Sequence, residues 1–196
     1  MKIKTLTLVS MAALSLAACG KKAENTTAAN DTAYVNTVSA DTGTASGNDA
    51  IAAPVSGGQA FVNAAAASDA FEIASSKQAA THGASAAVKK FAAQMITAHD
   101  ASTAKLKTLT GTMSPSLTPD PTLTAEQQGK IAELETKQGA DFDTAYAAAQ
   151  VAGHQQTLDT LKSYAATGDV PQLKTFASGL IPTVAAHLNM AKAIKS

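Results

Sequence analysis

The sequence has no arginine and no tryptophan, and Cys19 is the single cysteine among its 196 residues. Without arginine, no site can use a bidentate guanidinium fork. Fifteen lysines balance fifteen acidic residues, so the formal net charge of +0 argues against the basic stripe of a nucleic-acid-binding surface. A single cysteine excludes a disulfide framework and any zinc site with two thiolates. We therefore expect no nucleic-acid partner.

Charged residues and aromatic residues are also scarce, at 15% and 4% of the chain. Alanine is abundant, at about a quarter of the residues, and alanine favours helices over sheets. A chain of this length has room for one domain of ordinary size and a tail. The composition predicts an all-α protein.

The first residues have the pattern of a bacterial lipoprotein signal. Lys2 and Lys4 precede an apolar run of about eleven residues, which is too short to span a membrane. The run ends in Leu-Ala-Ala-Cys, which resembles a lipobox and implies cleavage before Cys19 and acylation of that residue. We expect a signal peptide over 1–18 and a stable lipid anchor at Cys19, because several acyl chains hold a protein where one does not. The alternative is an ordinary secretory signal with an incidental cysteine.

The residue after Cys19 is Gly20, not aspartate, and in the lipoprotein sorting pattern this indicates the outer membrane. We expect a protein that faces the periplasm, with surface exposure as an alternative, and with envelope proteins as possible partners. Residues 19–58 are rich in Ala, Thr, Asn, Ser and Gly and show no period, so we predict a disordered tether.

From Gln59 the apolar residues recur with the period of a helix, which predicts a helical domain over 59–196. Ser85 is a candidate N-cap, Thr124 opens a capping box, and Pro171 is placed for the first turn of the last helix. We predict an up-and-down four-helix bundle with a short extra helix in the long central connection. The expected helices cover 59–80, 86–110, 125–139, 140–166 and 171–194.

Polar residues interrupt the inward stripe of each long helix. His99, His154 and His187 lie on the second, fourth and last helices, and Glu72 lies on the first. All four are near the middle of their helices, so we expect them to meet at one level of the bundle. Three imidazoles and a carboxylate can complete a four-coordinate transition-metal site. The alternative is a buried polar network that only sets helix register.

Three neighbouring features bear on this site. Asp143 is about 16 Å along its helix from His154, so we expect it at another level. His82 lies in a Gly-flanked turn, where we expect it to be solvated. Met95 and Met190 lie near the histidines and could favour copper through soft sulfur, although methionine at helical spacing also fills cores.

Enzyme signatures are absent from the sequence. It has no Gly-rich phosphate loop, no Gly-x-Ser-x-Gly elbow, and no Glu-x-x-His pair of a di-iron bundle. No catalytic residue is predicted, and two-metal oxygen chemistry is unfavoured.

Four groups of residues, one on each long helix, form a familiar combination: Phe61-Val62 with Ser68 to Ile73; Val88 to Ala92 with Met95-Ile96 and His99; Phe142-Asp143 with Tyr146, Gln150 and His154; and Leu173, Phe176-Ala177 and Pro182 with His187-Leu188. In these residues the chain resembles a bacterial envelope family known as domain of unknown function 4142. The resemblance implies a ferritin-like bundle, often secreted or lipid-anchored, and no assigned activity. The family usually has aspartate just before the second-helix histidine, where this chain has Ala98, with Asp100 on the other side.

Three functions remain open at this point. The first is a lipid-anchored, non-enzymatic envelope protein that binds one metal ion or a small ligand in the bundle core. The second is a periplasmic mononuclear metal oxidoreductase, which needs an open coordination position. The third is a purely structural or interaction module.

Overall fold

The computed structural model describes residues 57–194, which form five α-helices. The predicted all-α bundle with a short extra helix is confirmed, and helix bounds differ from expectation by a few residues, most at the end of α3. The predicted signal peptide, Cys19 and nearly all of the predicted tether lie outside the described residues. The helices are α1 (Gly58–His82), α2 (Ala86–Gly111), α3 (Ala125–Glu135), α4 (Gly139–Thr167) and α5 (Pro171–Ala193).

The helix starts follow from local side chains. The Ser85 side chain accepts a hydrogen bond from the Val88 amide at the start of α2, as an N-cap does. Thr124 and Gln127 form the predicted capping box of α3. Pro171 occupies the first turn of α5, but Val170 is the N-cap residue. The neighbouring Asp169 accepts a hydrogen bond from the Tyr164 hydroxyl at 2.8 Å.

The four long helices pack antiparallel to their spatial neighbours. Along α1 and α4, Ser68 contacts Thr157 while Ser76 contacts Tyr146, so residue numbers rise in one helix as they fall in the other. Short links join α1 to α2 and α4 to α5, so each of these pairs also reverses direction. The helices therefore run up, down, down and up, and α2 and α4 point the same way.

The segment from Thr112 to Gln138 crosses the bundle lengthwise beside α1. Near its start, the Gln59 side chain donates to the Thr118 carbonyl, and further on the Gln78 side chain donates to the Ile131 carbonyl. Residue numbers thus rise in the same direction in α1 and in the connection beside it. The helix α3 is part of this connection. This is the long crossover of ferritin-like bundles, as its length predicts.

The core has two apolar clusters with a polar layer between them. The first, the Tyr164 cluster, contains the stacked rings of Phe61 and Tyr164, with ring centroids 4.0 Å apart. The second, the Tyr146 cluster, contains Tyr146 stacked on Phe142. The layer that separates them holds buried Asp69, Glu72, Ser75, His99, Gln150, His154 and His187.

No helix within 57–194 is both long enough and apolar enough to cross a membrane.

Candidate metal centre

Three histidines from three helices meet in the polar layer. His99 of α2, His154 of α4 and His187 of α5 are 6%, 1% and 8% exposed. Their ring centroids are 5.5 to 5.8 Å apart, and one potential ligand nitrogen of each lies within 4.8 Å of the other two. We call these residues the histidine triad. Nitrogens that share one ion at about 2.0–2.1 Å from it lie within about 4.2 Å of one another, so the separations in the triad are of the order that one shared ion requires.

A carboxylate sets the protonation of the first ring. The Nδ1 atom of His99 lies 2.8 Å from Oδ1 of Asp69 on α1, and both side chains are buried. A carboxylate only accepts hydrogen bonds, so Nδ1 carries the proton and Nε2 keeps its lone pair in the neutral ring. The Thr103 hydroxyl donates to the other oxygen of Asp69 at 3.2 Å. Asp69 therefore orients His99 in the way that carboxylates orient metal-binding histidines.

A backbone carbonyl sets the second ring. The Nδ1 atom of His154 lies 2.8 Å from the carbonyl oxygen of Gln150, one turn earlier in α4. A carbonyl also only accepts, so Nδ1–H donates and Nε2 is left with its lone pair. Two rings on different helices are thus in the same tautomer for the same kind of reason.

Each ring of the triad has one buried nitrogen without a hydrogen-bond partner. Within 57–194, Nε2 of His99, Nε2 of His154 and Nδ1 of His187 make no hydrogen bond. A buried polar group without a partner costs about 1–3 kcal/mol, so native proteins contain few of them. Each of the three rings therefore has a buried nitrogen that is available to bind a ligand.

The environment keeps two of these rings neutral. The pKa of His154 and the pKa of His187 are both lowered to about 4, mainly by burial and in part by the nearby His99. A neutral imidazole is the form that binds metals. His154 and His187 are therefore in the ligand form throughout the neutral pH range.

Glu72 lies beside the triad on a different side of His154. Its Oε1 atom is 3.5 Å from Nδ1 of His154, the nitrogen already bonded to Gln150, and its Oε2 atom is buried without a partner. Burial raises the pKa of Glu72 to about 7. The group of mutually close ligand atoms comprises the three histidines without Glu72. Its role as a fourth ligand stays a prediction.

Gly153 makes room for the Glu72 carboxylate. A Cβ atom at this position of α4 would come 2.9 Å from Oε1 of Glu72, closer than side chains tolerate. Nearby, the Gln150 side chain donates to the Ser75 hydroxyl, and the hydroxyls of Ser76 and Tyr146 share a hydrogen bond. The polar network expected as the alternative to a metal site is therefore also present, and it borders the triad.

Sequence reasoning missed Asp69 as a site residue. It lies three residues before Glu72, so both occupy one face of α1, and this spacing was the signal that could have found it. In the family pattern, the aspartate next to the second-helix histidine was the candidate orienting group. Here Asp100 is exposed, and Asp69 of another helix contacts His99 instead.

The other residues near the predicted site lie away from it. Asp143 is at another level, as predicted, where its carboxylate accepts from the amides of Ala84 and Ser85. His82 is half-buried with its ring edge against Phe142, so the expectation of a solvated ring was wrong. This ring is covered because the Phe142 side chain packs beneath the end of α1.

The two methionines have different environments. Met95 is fully buried in the Tyr146 cluster, as a core-filling residue is. Met190 is 37% exposed. The burial pattern gives no reason to add either sulfur to the triad.

Sequence comparison identifies the family. The profile described as "Domain of unknown function (DUF4142)" matches residues 43–194, which is most of the chain. The chain belongs to the DUF4142 family. The match includes every residue of the histidine triad, and it confirms the resemblance seen in the sequence. Among curated proteins, none matches this chain.

Two solved structures share the fold of this DUF4142 protein. One is described as "CopM in the Cu(II)-bound form", with a TM-score of 0.58 and 16% identity over 69% of this chain and 93% of that chain. The other is "CopM in the Cu(I)-bound form", with a TM-score of 0.54 and 18% identity over 69% and 92% of the two chains. At such low identity the likeness concerns the fold.

Proposed function

We propose that this protein is a lipid-anchored envelope protein that binds one transition metal ion, copper foremost, through His99, His154 and His187. One observation carries the metal site. Each of the three rings, on three different helices, offers one nitrogen within 4.8 Å of the other two, and each ring has a buried nitrogen without a hydrogen-bond partner in the described chain. A metal ion would satisfy all three at once.

The donor set favours a late transition metal. Imidazole suits zinc, copper, iron and nickel, whereas magnesium and calcium prefer oxygen ligands. Divalent copper has the highest affinity of the first-row series for a given nitrogen site. The fold is shared with two copper-bound structures of CopM, which supports copper as the first metal to test. Zinc is the next candidate.

The anchor is a separate part of the proposal. It rests on the lipobox-like Leu-Ala-Ala-Cys and on Gly20 after the cysteine. A tether of about forty residues would have a root-mean-square span of roughly 35 Å, enough to hold the bundle clear of the headgroups. We propose outer-membrane attachment facing the periplasm. Metabolic labelling with a fatty acid tests it, since the intact chain would be labelled and a Cys19→Ser variant would not.

Metal analysis of the full chain tests the site. The purified chain is stripped with a chelator, loaded with copper or zinc, desalted, and analysed by elemental mass spectrometry. We expect a single copper ion per chain, and loss of it in His99→Ala, His154→Ala and His187→Ala. The matched control is His82→Ala, because His82 is the one histidine outside the triad.

Two results would contradict the metal site. One is a wild-type chain that retains neither metal after desalting. The other is copper retention in the triad variants equal to that of the His82→Ala control. In either case the triad would be a packing network, and lower thermal stability of the triad variants would be its only signature. Circular dichroism on each variant shows that the fold is intact before metal content is compared.

A further inference from the structure

A small cavity lies beside the histidine triad, on the side of the Tyr164 cluster. Its volume is about 70 Å³, and side chains of all four long helices line it. His99 and His187 form part of its wall, and His154 does not. The cavity therefore adjoins two of the three proposed ligands, while the third lies behind them.

The cavity lies next to two histidines that have unpartnered ring nitrogens. Nε2 of His99 and Nδ1 of His187 are buried without hydrogen bonds, and both residues border the cavity. A metal ion with three protein ligands keeps a fourth position for a water molecule or an exogenous ligand. On the opposite side of the layer, Phe91 packs edge-on against His154. The free position of a triad-bound metal would thus face the cavity.

The size and lining of the cavity limit what can enter. A single water molecule needs about 10–15 Å³, and an apolar cavity that binds benzene has about 150 Å³, so the cavity of about 70 Å³ suits a ligand of a few atoms and is too small for a ring-bearing substrate. Much of the wall is apolar, including Phe61, Leu161 and Val184. The Ser68 hydroxyl in the wall is already bonded to Thr157. The wall also includes the exposed Thr183, which gives the cavity a side toward solvent.

We propose that the cavity admits a linear ligand of two or three atoms, of the dioxygen, peroxide or azide class, to the fourth position of the metal held by the histidine triad. This inference rests on the proposed metal site and assigns it a ligand class. It makes the site a metal centre that exchanges small ligands, in contrast to one closed by the protein alone.

Azide binding to the copper-loaded full chain tests the proposal. Azide is added to the Cu(II) form, and the azide-to-copper charge-transfer absorption and the electron paramagnetic resonance spectrum are recorded. We expect a saturable new absorption band and a shifted resonance spectrum. The bulkier 2-methylimidazole should leave both spectra unchanged, because it exceeds the cavity.

Filling the cavity should separate ligand access from metal binding. Ala65→Leu adds volume to the cavity wall from α1 and Ser102→Leu does so from α2, and neither replaces a residue of the triad or Asp69. We expect copper content to stay at the wild-type level and azide affinity to fall at least tenfold in either variant. Ala148→Leu is the matched control, because Ala148 is exposed on the outer face of α4 and should leave azide binding unchanged.

The outcomes distinguish this inference from the proposed function. A wild-type chain that holds no copper refutes both. A wild-type chain that holds copper but shows no spectral response to azide refutes the cavity alone. The same holds if 2-methylimidazole binds as well as azide, a comparison that needs no variant. Equal azide affinity in the wild type and in copper-loaded Ala65→Leu or Ser102→Leu also overturns it.

Discussion

The two carboxylates of the polar layer, Asp69 and Glu72, lie one turn apart on the same helix but have opposite surroundings. Asp69 is bonded to His99 at 2.8 Å and to Thr103 at 3.2 Å. Glu72 lies 3.5 Å from His154, whose Nδ1–H is already donated to a backbone carbonyl, and one of its own oxygens has no partner in the described chain. Burial raises the pKa of Glu72 to about 7.

The difference shows that proximity to a histidine does not define a role. Asp69 is positioned to hold a ring in one tautomer and so prepares a ligand. Glu72 is positioned against a ring that needs no further acceptor, so its burial as an anion is poorly compensated. We infer that Asp69 stabilises the fold and supports metal binding, whereas the Glu72 carboxylate destabilises the metal-free fold at neutral pH. Each variant below tests one side of this contrast.

Removal of Asp69 should have the largest effect. Asp69→Ala leaves both the Nδ1–H of His99 and the Thr103 hydroxyl without their acceptor, and each donor left unsatisfied costs about 1–3 kcal/mol. Copper affinity should fall about 10- to 100-fold, as it does when the group that orients a histidine ligand is lost. Chemical denaturation and competitive metal titration measure the two effects. Asp100→Ala is the control, because Asp100 is exposed on the surface of α2. Equal stability and equal copper affinity of the two variants would show that Asp69 has no orienting role.

Neutralising Glu72 should have the opposite sign. The folded protein raises the pKa of Glu72 from 4.5 to about 7, and one pKa unit corresponds to about 1.4 kcal/mol. The chelator-stripped Glu72→Gln chain should therefore be about 3 kcal/mol more stable than the wild type at pH 8, and about equally stable at pH 4. Denaturant unfolding at both pH values measures this, with exposed Glu135→Gln as control.

The same variant decides whether Glu72 is a metal ligand. We expect Glu72→Gln to keep its copper, because the three histidines form the close group without it. Copper loss as complete as that of His154→Ala would show instead that the carboxylate completes the coordination, as the sequence pattern predicts.

Much of this architecture could be predicted from the sequence, because it depends on local signals. Helix starts followed from Ser85 and Thr124, and the meeting of three histidines followed from helical spacing and an inward stripe on each helix. The pairing of Asp69 with His99 could not be predicted this way. It depends on the relative rotation and height of α1 and α2, which are set by packing between helices and leave no mark in either helix alone. The cavity has the same origin, since it is the space left where four helices fail to fill a layer.

The pH dependence of the unfolding free energy tests whether the two buried histidines and Glu72 have opposite effects on stability. Burial lowers the pKa of His154 and of His187 from 6.5 to about 4, so between these values the unfolded chain binds two protons that the folded chain does not. Their contribution to stability is therefore lost as the pH falls from 6.5 to 4. Glu72 acts in the opposite sense between 4.5 and about 7, because there the folded chain holds a proton that the unfolded chain has released.

Between pH 4.5 and 6.5, where all three groups contribute, the unfolded chain binds one proton more than the folded chain. The metal-free wild type should gain about 1.4 kcal/mol per pH unit between pH 4.5 and 6.5. In His187→Gln the two remaining effects cancel, so the profile should be nearly flat over that range, while His82→Gln should keep the wild-type slope. A His187→Gln profile as steep as that of the wild type would contradict the assignment of His187 as a buried neutral ring.

The smallest expected effect comes from Thr103, whose hydroxyl bonds to Asp69 and not to a ring of the triad. Its hydroxyl donates to Oδ2 of Asp69, so Thr103→Val removes one hydrogen bond and leaves the pair with His99 intact. We expect a loss of about 1 kcal/mol in unfolding free energy and only a several-fold decrease in copper affinity. Thr108→Val is the matched control, because Thr108 is exposed on the same helix and bonds only to the Ala104 carbonyl. If Thr103→Val weakens copper binding as much as Asp69→Ala does, the orientation of His99 depends on the carboxylate being held by Thr103. If it behaves as Thr108→Val does, the Asp69 carboxylate orients the ring without that help.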